Sequence, residues 1–156
     1  MHATHDDPVA DDTRRVALLR LAASGDAAAQ LELARESRRK VLREEADEIV
    51  CSIEGLTYAR LAAAQGAPDG LMLVADHSAH LAKVYYECDE TVTAEMWLGQ
   101  SLAALELATE LLPTENANAL ADQLVRHAEH ATPNIMREAK LFRDIFAPAF
   151  GAAAFA

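Results

Sequence analysis

Two histidine pairs are the residues of this chain best spaced for chemistry. His77 and His80 stand three apart, as do His127 and His130, and on helices each pair would share one face. Two such helices side by side would offer four imidazoles to a metal ion, with Glu87 and Glu129 near enough in sequence to add carboxylates. The pattern stops short of the Glu-x-x-His signature of di-iron bundles. Histidine is also ordinary at half-exposed helix positions. A metal-binding bundle therefore stands as the alternative reading, and the expectation is a chain with no cofactor.

Nucleophilic catalysis finds less to work with. Cys51 and Cys88 are the only cysteines and form no Cys-x-x-Cys pair. Cys88 lies among Glu87, Asp89 and Glu90, whose charges disfavour the thiolate. There is no Gly-x-Ser-x-Gly and no glycine-rich phosphate loop. The acidic pairs Glu44-Glu45 and Asp89-Glu90 read as solvated helix surface. The expectation is a protein that is not an enzyme.

The aromatic residues point elsewhere. Phe142, Phe146, Phe150 and Phe155 all fall near the end of the sequence, the last two beyond Pro148 in a stretch without charge. Apolar residues of that kind must pack on their own chain or on another. Tyr85, Tyr86 and Trp97 sit near an expected hairpin, where such side chains suit an interface. Core packing is the competing explanation for Trp97 and one tyrosine. Tyr85, Tyr86, Trp97, Phe150 and Phe155 are the candidate partner contacts.

Charge narrows the partner. Fourteen bases against 25 acids leave a net charge of −11, which repels phosphates and argues against nucleic acid. Residues 13–48 hold eight bases and seven acids, residues 49–136 three bases and twelve acids. That acidic middle allows another alternative, an inhibitor that occupies a basic partner. The basic run Arg35, Arg38, Arg39, Lys40, Arg43 is interleaved with acids and reads as a solvated face, free to meet the acidic middle of the same chain or of a neighbour. No stretch approaches a membrane span, the first residues lack the pattern of a signal peptide, and the lone cysteines suit a reduced, cytoplasmic setting.

The elements that must position these residues read as helices. Apolar residues make up 51% of the chain and aromatics 5%, with alanine dominant and alternating segments nearly absent, so the fold class is all-α. Residues 1–11 read as a flexible acidic lead, 12–147 as a single helical domain, and 148–156 as an apolar tail. The first helix is expected to start at Asp12 or Thr13 and stop at Gly25, with Asp26 capping the next. A break is expected between Arg39 and Gly55, a turn at Gly66, and a proline-led start at Pro68. Further helices are expected from Thr91 or Thr93 to Pro113, from Thr114 through Val125, and from Thr132-Pro133 to Pro148. About seven antiparallel helices result, stacked as a short repeat-like solenoid or a closed bundle.

A repeat is visible in the turns. Tyr58 to Glu87 has an earlier copy at Arg20 to Ala34, and the glycines Gly66 and Gly25 lie 41 residues apart. Tyr58, Ala62, Ala63, Gly66 and Val74-Ala75, with Arg20, Ala22, Gly25, Ala29, Leu33 and Ala34 before them, resemble the Sel-one-like repeat. That family is a relative of the tetratricopeptide repeat. Ala94 and Trp97 look like the second helix of the later unit, and the resemblance spans about residues 16–105. It departs from the family at the charged Arg35–Glu48 run and at Leu105, where a glycine should recur. The resemblance implies a non-enzymatic adaptor or scaffold that binds a protein or peptide, or assembles with itself through the C-terminal tail.

Overall fold

The computed structural model describes residues 8–111, 122, 126 and 129–151. Helices α1 (Pro8–Ala23), α2 (Ala27–Leu42), α3 (Glu48–Ala64), α4 (Pro68–Glu87), α5 (Thr91–Leu111) and α6 (Pro133–Phe146) are followed by one 3-10 turn, Ala147–Phe150. No strand occurs among the described residues. The helix expected from Thr114 through Val125 falls almost entirely outside them. No described helix is long and apolar enough to cross a membrane.

Four helix ends share one turn geometry. After α1, Asp26 N–H bonds back to Leu21 O at 3.0 Å and Gly25 N–H to Ala22 O at 3.1 Å, with Gly25 at φ 96°. After α3, Ala67 N–H reaches Ala62 O at 3.1 Å and Gly66 N–H reaches Ala63 O at 2.9 Å, with Gly66 at φ 82°. These paired bonds satisfy the last carbonyls of each helix and require a left-handed residue, which glycine adopts without strain. The same bonds follow α2 at Glu44 (φ 55°) and α4 at Asp89 (φ 60°). Glycine thus closes α1 and α3, and an acid closes α2 and α4.

Two of the expected caps hold. The Asp26 carboxylate accepts from Ala29 N–H at 2.8 Å, and the Thr132 hydroxyl from Ile135 N–H at 3.2 Å. The break in the charged run comes where Asp47 caps α3, its carboxylate accepting from Val50 N–H at 2.9 Å. Two boundaries differ from expectation. Helix α1 already runs from Pro8, so residues 8–11 of the expected flexible lead are helical; proline suits a first turn. Thr13 caps nothing, because its hydroxyl donates to Val9 O inside the helix at 2.9 Å. At the other end, Pro148 sits inside the 3-10 turn instead of ending regular structure.

Each helix packs on its sequence neighbour from α1 to α5, α2 also touches α4, and α6 closes on α5. The main core takes Leu56, Leu71, Leu81, Leu102, Leu105 and Phe142 among others. Close approach is set by small residues. A Cβ at Gly70 would lie 2.8 Å from Ala59 O and Ala63 N, and one at Gly99 would lie 2.7 Å from Ile135 O. Helix α1 is held more lightly: Ala22 is its one buried residue, with Leu18 and Leu19 on a small satellite cluster. Arg15 ties it down by bonding Glu36 on α2 and, at 2.6 Å, Glu54 on α3.

Candidate functional site

Two depressions gather the polar groups of the helix stack. The first is a cleft of about 430 Å³ between α2, α4 and α5, lined by Arg38, Asp76, His80, Ser101 and Arg126 with Leu42 and Leu105. Two of its charged groups are matched by neighbours, while Arg126 donates, among the described residues, only to the Asp122 carbonyl. Arg38 Nη1 lies 3.1 Å from Asp76 Oδ2, and His80 Nε2 lies 3.0 Å from Glu48 Oε2. The Ser101 hydroxyl donates to Ala75 O at 3.0 Å. Burial raises the Asp76 pKa and Arg38 works against that rise.

His77 follows Asp76 on α4 but turns inward. It is 2% exposed and its Nε2 lies 3.0 Å from Ala34 O on α2. Gly55 on α3 makes the room, since a Cβ there would lie 2.4 Å from the imidazole. Burial lowers the His77 pKa, partly offset by the bond to Ala34 O. Neutral imidazole therefore fits this place, donating Nε2–H to the carbonyl. His77 and His80 face different partners, His130 is exposed, and His127 lies outside the described residues. Among the described residues no three His, Cys, Asp or Glu side chains come together as a metal group.

The second depression is a groove of about 390 Å³ between α3, α5 and α6. Phe142 and Phe146, stacked with centroids 4.3 Å apart, line it with Leu141, Ile145, Glu138 and Gln100. Arg60 enters from α3. Its guanidinium donates to Gln100 Oε1 and lies over the Trp97 ring, 5.9 Å from the centroid. Arg60 forms no ion pair among the described residues, and burial alone lowers its pKa. Its Nε and the nearby Trp97 Nε1 are buried with no acceptor.

The α6 rim of this groove is apolar and open. Leu141 is 51% exposed and Ile145 69%, on the flank of α6 beside its buried stripe Ile135, Ala139, Phe142 and Phe146. Elsewhere on α3, Val50, Ile53 and Leu61 are also exposed, spaced so that they share its outer face. On the opposite flank of α6, Arg143 anchors the helix to α5 through Glu106 at 3.0 Å and Glu110 at 3.3 Å.

The aromatic candidates are divided by the structure. Tyr85, Trp97 and Phe150 are partly buried against the main core, and Tyr86 is 41% exposed. Burial, then Glu95, raises the Tyr86 phenol pKa. Trp97 reaches the second groove through Arg60. Phe150 belongs to the 3-10 turn that closes on the α3–α4 turn, where a Cβ at Gly66 would lie 2.8 Å from Ala149 O. Phe155 lies outside the described residues. The basic run does meet acids of the same chain, Arg35 pairing with Asp69 at 3.3 Å as Arg38 does with Asp76. Cys51 is buried and Cys88 exposed.

Sequence reasoning missed Arg60, Gln100, Leu141 and Ile145. A signal existed for the first: Arg60 is the only lysine or arginine between Arg43 and Lys83. An isolated base at a helical position beside buried alanines stands out from the charged runs elsewhere. Comparison with protein-family models, with curated proteins and with solved structures gave no match.

Proposed function

We propose that this chain is a non-enzymatic interaction module of the Sel-one-like kind, which binds a protein or peptide partner in the groove between α3, α5 and α6. One observation carries the reading: large aliphatic side chains, Leu141 and Ile145, stand uncovered on the α6 rim of one depression that Arg60 of α3 also lines. A contiguous apolar rim is costly to leave in water and is the usual mark of a binding groove. The alternating glycine and acidic helix ends support the hairpin-repeat kinship. The ionisable groups of the other cleft support the reading as well, since Asp76 and His80 are each matched by a neighbour of opposite charge type.

Photo-crosslinking amino acids at Leu141 and Ile145, compared with one at Lys83, test it in the native host. Lys83 is exposed on α4. The expected result is a discrete adduct from the two groove positions and none from Lys83. Adducts from all three alike, or from none, refute the reading. An adduct of twice the chain mass would identify the partner as a second copy.

A further inference from the structure

The groove holds one cation, Arg60, and one carboxylate, Glu138, and the two form no ion pair. Arg14, Arg15, Arg35, Arg38, Arg39 and Arg143 each meet a carboxylate within 4 Å. Among the described residues Arg60 does not; nor do Arg20, Arg126 and Arg137, but those three are exposed whereas Arg60 is half-buried, in a chain whose acids outnumber its bases by eleven. Its guanidinium is held in place by the neutral Gln100 amide and the Trp97 ring face. Arg60 Nε–H and Trp97 Nε1–H are two buried donors that lack acceptors among the described residues. Buried donors normally find a partner, and leaving one unmade is destabilising. Aliphatic and aromatic side chains surround this donor set, with Leu141 and Ile145 projecting beside it.

We propose that the groove takes an amphipathic peptide segment of a partner protein, which sets one aspartate or glutamate carboxylate on the Arg60 guanidinium and lays flanking aliphatic side chains on Leu141 and Ile145. The inference rests on the interaction reading above and names the chemistry of its partner. A planar guanidinium matches a carboxylate with two parallel hydrogen bonds. A low-dielectric surround strengthens that pair, and the already immobilised arginine loses little freedom on binding. One cation with Glu138 on the same rim suits a single negative charge. A phosphate dianion would need further cations, which the described groove lacks. The net charge of −11 disfavours acidic peptides in general, so a preference for acid here must come from the site.

The test is selection from a displayed library of random short peptides, run on the full chain and on Arg60→Gln. Wild type is expected to select peptides with an acid between aliphatic residues. The single tryptophan, Trp97, then reports binding of a selected peptide by its emission. Replacing the peptide's acid by its amide should weaken binding to wild type by about tenfold or more. Arg60→Gln should bind both peptides alike, and Arg60→Lys should keep part of the preference. Acid preference that survives in Arg60→Gln overturns the proposal. So does Arg60-dependent self-association in sedimentation, which would put a second copy in the groove. Peptides without an acid whose binding is lost in Leu141→Asn overturn this inference and leave the interaction reading standing. Selection of no peptide at all sinks both.

Discussion

Arg38 and Arg60 occupy the two depressions of one helix stack, and the chain treats them differently. Arg38 faces Asp76 at 3.1 Å across its cleft, so its charge is matched within the fold. Arg60 has an amide and an aromatic face for neighbours and no carboxylate. A paired arginine contributes to holding helices together, though only modestly where side chains are part exposed. An arginine kept apart from acids, on apolar ground, detracts from stability. The difference separates a cleft completed by folding from a groove left incomplete.

The largest expected effect would remove the groove and spare the cleft. A side chain at Gly99 must displace the Ile135 carbonyl and the Glu138 stem, so Gly99→Leu should force α6 off α5 and lose about 1–3 kcal/mol. Urea unfolding measures this, and a variant as stable as wild type would disprove the close α5–α6 contact. Next comes a pair of opposite signs. Arg60→Met relieves an unmatched cation and should gain about 1 kcal/mol. Arg38→Met strands Asp76 and should lose about 0–1 kcal/mol. Equal signs for the two substitutions would erase the contrast drawn here.

The smallest effects lie in pH dependence. Burial holds the Asp76 pKa above its ordinary 3.8, so the folded chain binds a proton there before the unfolded chain does. Stability from this residue falls as pH rises from 3.8 through the raised folded value. Asp76→Asn should remove that slope. His77, one residue on, behaves oppositely. Its lowered pKa means the unfolded chain takes up the proton first, so stability is complete above 6.5 and is lost as pH falls toward the folded value. His77→Gln, which can still donate to Ala34 O, should flatten the slope below 6.5. Unfolding midpoints across pH read both, and an unchanged slope in either variant refutes its assignment.

The helices were largely legible because their punctuation is local. Gly25, Gly66, Asp26 and Thr132 act within a few residues of themselves, so the sequence reveals the turns and caps they make. The start of α1 was misplaced for a related reason: Thr13 can cap a helix or bond its own preceding turn, and only the chain before it decides. The groove was not legible because Arg60, Gln100 and Ile145 come from three helices, and nothing local to any of them announces the others. The His77 pair misled in the same way. Three-residue spacing fixes a shared flank of α4, but Gly55 on another helix opens the pocket that draws His77 inward, away from His80.

The contact of α6 with α5, and of Ala149 with Gly66, has a consequence for synthesis. Helices α1 to α5 pack on their immediate predecessors, so as the chain leaves the ribosome they can assemble in order, with the short sequence separations that favour rapid folding. The α2–α4–α5 cleft is complete once Arg126 has emerged. The Arg60 groove must wait for Phe146, and Gly66 for Ala149. A nascent chain halted between those points would carry its ionic cleft finished and one flank of α5 bare, so the groove arrives last.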